Sequence, residues 1–134
     1  GAMEAEARKD REELPLWQQA EDLIRREFPH LEGVEDLAQR LGVSKCHLIR
    51  TFRATKGVPP GRYLTRVRVA AARVYLENRE YPIQVVAGLT GFADGNYFAK
   101  VFRRETGFTP RDYRERFAPT APGQLPEGEQ EFFV

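Results

Sequence analysis

The stretch TFRATKGVPPGRY at residues 51–63 recurs as VFRRETGFTPRDY at residues 101–113, an offset of 50 residues. The two copies share a Phe-Arg pair, a Gly, a Pro and a Tyr in the same register. The match continues upstream at an offset of 49, where LAQRLG at residues 37–42 corresponds to VAGLTG at residues 86–91. The chain is therefore built around two related units.

Each copy has the pattern of a helix-turn-helix unit, in which a short helix and a second helix are joined by a tight turn that contains Gly. Ala38 and Ala87 are small enough for the two helices to cross closely. Gly42 and Gly91 stand where the turn favours a positive φ, which glycine adopts without steric cost. The sequence therefore predicts two helix-turn-helix units.

Helical periodicity dominates the rest of the chain, and the alternation typical of strands is nearly absent. Capping residues and prolines predict about seven helices. The predicted helices run from Pro15 to before Pro29, after Gly33 to Gly42, from Ser44 to Lys56, from Pro60 to Asn78, from Pro82, from Asp94 to Thr106, and from Pro110 to Phe117. The predicted fold is all-α, with the two units joined by a long linker helix.

The sequence predicts four segments along the chain. Residues 1–13 are interpreted as a tag remnant and a flexible acidic start, because Gly1-Ala2-Met3 resembles the remainder of a cleaved expression tag. Residues 14–79 form the first unit with the linker helix, and residues 80–117 form the second unit. Residues 118–134 are rich in Pro, Gly and Glu and are expected to be a disordered tail.

Charge is distributed unevenly along the chain. Residues 40–116 carry 16 Lys and Arg against 6 Asp and Glu, whereas residues 1–39 carry 5 against 11. A basic middle of this strength indicates a polyanionic partner. The alternative is a solvated basic surface without a partner.

The composition also argues against several classes of protein. No apolar run approaches the roughly 20 residues of a membrane-spanning helix, and the start lacks the apolar segment of a signal peptide. A lone cysteine, Cys46, cannot form an internal disulfide and is typical of a reducing compartment. We therefore expect no membrane partner and a cytoplasmic location.

The second helix of each unit has one apolar and one polar face at 100° per residue. Leu48, Phe52 and Thr55 are predicted to face inward in the first unit, as are Phe98 and Phe102 in the second. The outward positions hold Cys46, Arg50 and Arg53 in the first unit and, at equivalent positions, Asn96, Lys100 and Arg103 in the second. Arg and Lys recognise guanine in the major groove, and Asn recognises adenine. The pattern predicts two recognition helices for double-stranded DNA.

The predicted linker helix of roughly 19 residues spans about 28 Å at 1.5 Å per residue. Recognition helices that read successive major grooves on one face of B-DNA lie about 34 Å apart. One chain can therefore carry both recognition helices at a suitable spacing, and modest DNA bending is expected.

Residues 34–117 resemble the DNA-binding domain of the AraC/XylS family of bacterial transcription regulators. The most specific match is VVAGLTGFADGNYFAKVFRRETGFTPRDYR at residues 85–114, supported by LAQRLGVSKCHLIRTFRATKGVPPGRYL at residues 37–64. The resemblance implies a seven-helix fold that binds promoter DNA and usually activates transcription through RNA polymerase, with no cofactor. It also implies an effector or dimerisation domain that is missing here.

The resemblance implies that six residues contact bases: Cys46, Ile49, Arg50, Asn96, Tyr97 and Lys100. The small Cys46 and the apolar Ile49 depart from residues often used there, so that the first unit is expected to read through Arg50 and a contact with a thymine methyl group. The remaining candidates are expected to contact DNA phosphates, which set affinity and register. They are Arg40, Ser44, Lys45, Arg53, Lys56, Arg62, Arg103 and Arg111.

Other interpretations stay open at this point. Arg66, Arg68 and Arg73 on the linker helix are as compatible with intramolecular ion pairs as with DNA. Cys46 is either a small groove-facing residue or a redox-active thiol, and one His beside it makes no metal site. An enzyme would need a convergent set of catalytic groups, and none is apparent. The main alternative is a helical protein-interaction module with a basic face.

Overall fold

The computed structural model describes residues 2–6 and 13–119, and within these ranges the regular structure is entirely helical. Residues 2–6 are helical, and seven further helices follow in the described part of the chain. They are α1 (Leu16–Glu27), α2 (Val34–Leu41), α3 (Lys45–Lys56), α4 (Pro60–Leu76), α5 (Ile83–Leu89), α6 (Gly95–Thr106) and α7 (Pro110–Phe117). The all-α prediction is confirmed. None of these helices is long and apolar enough to span a bilayer.

Three helices begin at side-chain caps that the sequence identified. The hydroxyl of Ser44 accepts a hydrogen bond from the backbone N–H of His47 (3.2 Å), and the Thr109 hydroxyl accepts from Asp112 (3.1 Å). The Asp94 carboxylate accepts from the backbone N–H of Asn96 (2.8 Å). These bonds satisfy N–H groups that lack partners inside the helix, which explains why the starts of α3, α6 and α7 were predictable.

The linker helix α4 ends at Leu76 rather than near Asn78. The side chain of Asn78 accepts a hydrogen bond from the backbone N–H of Glu80 (2.9 Å). This bond forms a local turn at Asn78, and the helix does not continue through it. Asn competes in this way with helical hydrogen bonding. The helix is therefore 17 residues long.

The chain divides into two compact units, with the boundary between Val67 and Arg68 inside α4. The first unit encloses a buried cluster made of Ala20, Ile24, Leu31, Leu37, Ala38, Leu48, Phe52 and Leu64. The second encloses Val69, Ala72, Leu76, Val86, Ala87, Phe92, Phe98, Val101, Phe102 and Tyr113. The sequence prediction placed the whole linker helix within residues 14–79, and in the structure the second half of this helix contributes Val69, Ala72 and Leu76 to the core of the second unit.

The repeat is longer than the helix-turn-helix unit. Ala20 and Ile24 on α1 correspond, 52 residues later, to Ala72 and Leu76 on α4, and all four side chains are fully buried. The start of α4 corresponds in turn to α7, since Pro60 matches Pro110 at an offset of 50. Each copy of the repeat thus comprises four helical segments, and α4 supplies the last segment of the first copy and the first segment of the second.

The expected flexible start and disordered tail lie largely outside the described residues. Of residues 1–13 the structure describes 2–6 and 13, and of residues 118–134 it describes 118 and 119. Ala118 is buried, and the carbonyl of Pro119 accepts a hydrogen bond from the Arg79 guanidinium (3.2 Å).

Two glycines provide a matched stability test. Gly42 ends α2 at φ 71°, as predicted for the turn, and a Cβ added there would meet nothing within 4 Å. Gly88 lies within α5 with ordinary φ, and its added Cβ is equally unobstructed. We expect Gly42→Ala to cost about 1 kcal/mol of unfolding free energy because of backbone strain, and Gly88→Ala to add about 0.5 kcal/mol. Urea unfolding measures both, and effects of the same sign would contradict the conformational explanation.

Candidate nucleic-acid interface

The recognition helix of the first unit, α3, is anchored on its apolar face. Leu48 and Phe52 are fully buried, and the Phe52 ring meets Tyr63 edge-on with 5.4 Å between ring centroids. Thr55, predicted to face inward, is exposed. That prediction was wrong because α3 has reached its last turn by Thr55 and the apolar contacts of the helix end at Phe52.

The opposite face of α3 is available to a partner. Cys46, Arg50 and Arg53 are exposed, while Ile49 is half-buried. These four residues line one shallow depression together with Ala54. The structure therefore brings the three base-contact candidates of the first unit onto one continuous surface, which also includes Arg53.

The recognition helix of the second unit, α6, is built in the same way. Phe98 and Phe102 are fully buried, and Phe102 meets Tyr113 with the same edge-on geometry and the same 5.4 Å separation as the equivalent pair in the first unit. Asn96 and Lys100 are exposed, as is Arg103 one turn further along the helix. The equivalence of the two polar faces thus extends from sequence to burial.

Tyr97 is the most exposed large aromatic side chain of α6, with 58% of its surface accessible. Its ring leans on Phe92 with centroids 6.2 Å apart. The guanidinium of Arg68 lies 5.9 Å from the centroid of the same Phe92 ring, and burial lowers the pKa of Arg68. The Tyr97 ring is therefore supported by Phe92, while most of its surface stays accessible.

His47 is a candidate that the sequence analysis missed. It is exposed in the first turn of α3, and the offset of 50 places it at the position that Tyr97 occupies in α6. The repeat itself contained this signal, because it pairs every position of the two helices. An imidazole offers one donor and one acceptor, either of which can meet a base edge or a phosphate.

Six of the eight phosphate candidates are exposed arginines or lysines that fall into two groups. Arg53, Arg62, Arg103 and Arg111 are exposed and make no ion pair with another described residue. Arg40 and Lys45 are exposed but paired: Arg40 lies 3.1 Å from Asp36, and Lys45 lies 3.4 Å from Glu35. A backbone hydrogen bond from Glu32 and the Arg40 guanidinium lower the pKa of Asp36.

Lys56 is held more firmly than the other phosphate candidates. Its ammonium group pairs with the carboxylate of Glu21 on α1, and it lies 5.6 Å from the ring centroids of both Trp17 and Tyr63. Its side chain is only 28% exposed. The hydrogen bond from Lys56 lowers the pKa of Glu21. This lysine is therefore engaged within the first unit.

The sequence allowed two roles for the three arginines of the linker helix, namely intramolecular ion pairs and contacts with DNA. Arg73 lies 5.9 Å from the ring centroid of Tyr113, and Arg68 stacks near Phe92 as described above. Arg66 is exposed. Two of the three, Arg68 and Arg73, thus contact aromatic rings of the second unit.

Arg114 is a structural residue that the sequence analysis did not identify. Its guanidinium donates hydrogen bonds to the carbonyls of Leu76 (3.0 Å), Asn78 (3.2 Å) and Tyr81. Burial lowers the pKa of Arg114. These bonds hold α7 against the end of α4 and the loop that follows. The Tyr113 ring of α7 in turn packs against Phe102 of α6. No sequence pattern marks such a role, because every acceptor is a backbone carbonyl.

The sequence and the fold of the chain both match known proteins. Residues 37–116 match a family model described as a helix-turn-helix domain. The chain is 42% identical over 79 residues to the HTH-type transcriptional activator RhaR of Yersinia pseudotuberculosis, covering 58% of this chain and 27% of the relative. It also resembles a transcriptional regulator with an AraC-type DNA-binding domain from Chromobacterium violaceum, with a TM-score of 0.68, 27% identity, and coverage of 80% and 96% of the two chains.

The chain belongs to the AraC/XylS family of DNA-binding transcription regulators. A further structural relative is the DNA-binding domain of the global transcriptional factor AdpA in complex with a target DNA, with a TM-score of 0.72, 29% identity, and coverage of 78% and 94%. The resemblance stated from the sequence is thereby confirmed. The AraC/XylS chain described here spans about a quarter of the length of the curated relative that it matches.

Proposed function

We propose that this AraC/XylS domain reads duplex DNA by placing α3 and α6 in successive major grooves. The observation that carries the proposal is the agreement between the two exposed faces. Arg50 and Lys100 occupy equivalent positions, and each stands opposite a pair of fully buried apolar side chains. Such anchoring supports base readout, because bidentate hydrogen bonds tolerate little movement of the helix that carries them.

The differences between the two faces give each helix its own base preference. Arg50 is suited to guanine, and beside it Ile49 offers an apolar contact for a thymine methyl group. On α6, Asn96 is suited to adenine and Lys100 to guanine. Cys46, Tyr97 and His47 complete the two surfaces. The two half-sites of the preferred duplex should therefore differ in sequence.

Phosphate contacts are proposed first for the four exposed arginines without an ion pair in the described chain: Arg53, Arg62, Arg103 and Arg111. Ser44, at the N-terminus of α3, joins them. Its hydroxyl oxygen accepts a hydrogen bond from His47 in the helix cap, and its O–H group can still donate to a phosphate. Arg40 and Lys45 would have to leave Asp36 and Glu35 to reach DNA.

The relative named a transcriptional activator supports a wider proposal for the whole protein. We propose that it binds promoter DNA in the bacterial cytoplasm and activates transcription through contact with RNA polymerase. Selection of bound duplexes from a random library tests the DNA-reading function. Two short, unlike motifs about one helical turn apart are expected, and recovery of no shared sequence would refute base readout.

Arg50 and Arg103 should have separable effects on binding. We expect Arg50→Ala to cost about 1–3 kcal/mol on the selected duplex and to relax preference at one base position. Arg103→Ala should weaken binding to all sequences by a similar factor, because a phosphate contact carries no sequence information. Titrations of both variants against the selected duplex and single-base variants of it distinguish these outcomes. If Arg50→Ala bound every duplex like the wild type, α3 would not be a recognition helix.

A further inference from the structure

The end of the first recognition helix is fixed by a group of side chains from three helices. Lys56, in the last turn of α3, pairs with Glu21 on α1, and its ammonium group lies over the rings of both Trp17 and Tyr63. Arg25, one turn after Glu21 on α1, lies 5.7 Å from the centroid of the Tyr63 ring and 3.9 Å from the Glu21 carboxylate. Carboxylate and aromatic faces therefore surround the Lys56 ammonium group.

The described residues at the equivalent positions of the second unit do not form this ion pair. The offset of 50 places Thr106 at the position of Lys56, and the Thr106 hydroxyl donates to the carbonyl of Phe102 in its own helix (2.8 Å). The offset of 52 places Arg73 at the position of Glu21, and Arg73 contacts the Tyr113 ring instead. Among the described residues, an ion pair between these equivalent positions is therefore found in the first unit, between α1 and α3, and not in the second.

We propose that the Glu21–Lys56 ion pair is a positioning device for base readout by α3, and that Lys56 is not a phosphate contact. The inference rests on the proposed DNA-reading function. Glu21 is 17% exposed and Lys56 28% exposed, so both charges are largely shielded from water and the loss of Glu21 removes the carboxylate that compensates Lys56. The pair joins α1 to the last turn of the helix that carries Arg50, and it restrains rotation and tilt of that helix.

The two possible roles of Lys56 predict different salt dependence. A lysine that neutralises a phosphate contributes about 0.9 to the slope of log K against log salt. A lysine that pairs with Glu21 contributes almost nothing to that slope, but its loss allows α3 to shift against the base edges. Discrimination between bases then falls at the half-site read by α3 and is retained at the half-site read by α6.

The experiment compares the wild-type chain with Glu21→Gln, Lys56→Met and the double variant. Dissociation constants are measured at several salt concentrations for the selected duplex and for duplexes with one base changed in either half-site. Arg50→Ala identifies the half-site that belongs to α3. Arg62→Gln serves as a matched cation control that should lower the salt slope by about 0.9. Thermal melts establish that each variant is folded at the assay temperature.

We expect Glu21→Gln and Lys56→Met each to lower discrimination at the α3 half-site by about three- to tenfold. The double variant should match the single variants within about twofold, because the two residues act as one unit. Discrimination at the α6 half-site and the salt slope should stay at wild-type values.

Several results would overturn the positioning role. A fall of the Lys56→Met slope equal to that of Arg62→Gln would make Lys56 a phosphate contact. Unchanged discrimination between bases would show that the Glu21–Lys56 pair has no role in base readout. An equal loss of discrimination at both half-sites would show that the pair only stabilises the fold. Failure of the wild-type chain to prefer any sequence would instead refute the proposed function, and this result is separate from the others.

Discussion

Phe102→Ala is expected to lower the free energy of unfolding of the second unit by about 3–5 kcal/mol. The Phe102 side chain is fully buried and packs between Phe98 and Tyr113, with ring centroids 5.7 Å and 5.4 Å away. Its removal leaves a cavity at the point where α6 is held against the rest of its unit. Since small domains have only about 5–15 kcal/mol of net stability, a large fraction of that unit should unfold near physiological temperature.

Tyr97→Ala is the matched control, since it removes an aromatic ring from the same helix at a position that is 58% exposed. We expect its unfolding free energy to change by less than about 1 kcal/mol, whereas its DNA binding should weaken. Denaturant unfolding and DNA titration of both variants give the comparison. Similar losses of unfolding free energy in the two variants would show that burial does not separate the residues of α6 that stabilise the fold from those that contact DNA.

Binding to the selected duplex should fall on the order of 10²–10³-fold between 50 and 200 mM salt. The four exposed arginines that form no ion pair with a described residue, together with a smaller contribution from the base-reading cations, give an expected slope of log K against log salt of about −4 to −5. Displacement of counterions from the duplex is the physical cause, and fluorescence anisotropy titrations at four or more salt concentrations measure it.

Arg111→Gln and Arg40→Gln form a matched pair for this prediction. Arg111 is exposed without an ion pair among the described residues, so its loss should reduce the slope by about 0.9. Arg40 already interacts with Asp36 and with the carbonyl of His30, and we expect its loss to leave the slope nearly unchanged. Equal reductions would mean that Arg40 exchanges Asp36 for a phosphate when DNA binds. A wild-type slope near −1 would be inconsistent with binding along the DNA backbone.

The sequence was most informative where chemistry is local. Ser44, Asp94 and Thr109 each satisfy backbone groups within three residues, so helix starts could be predicted from short patterns. The duplicated arrangement also made the buried and exposed faces of α3 and α6 predictable, because an error in one copy would have broken the agreement with the other. The positions of Arg50 and Lys100 followed from that agreement.

Long-range partners of charged residues could not be predicted from these patterns. Lys56 meets Glu21 across 35 positions of sequence, and Arg114 meets the carbonyl of Leu76 across 38 positions. A cation in a basic stretch has the same appearance in sequence whether it reaches DNA, an aromatic ring or a backbone carbonyl. The phosphate contact predicted for Lys56 rested on that appearance alone.

The shared helix α4 affects how the protein can be dissected. A cut at the boundary between Val67 and Arg68 would leave each fragment with about half of a 17-residue helix, and isolated helices below about 12–15 residues are marginal in water. Fragments intended to fold alone therefore need to overlap, with residues 13–76 in one and 60–119 in the other. The two helix-turn-helix units cannot be exchanged independently, because α4 contributes buried side chains to the cores of both. A substitution in α4 can therefore affect the stability of both units.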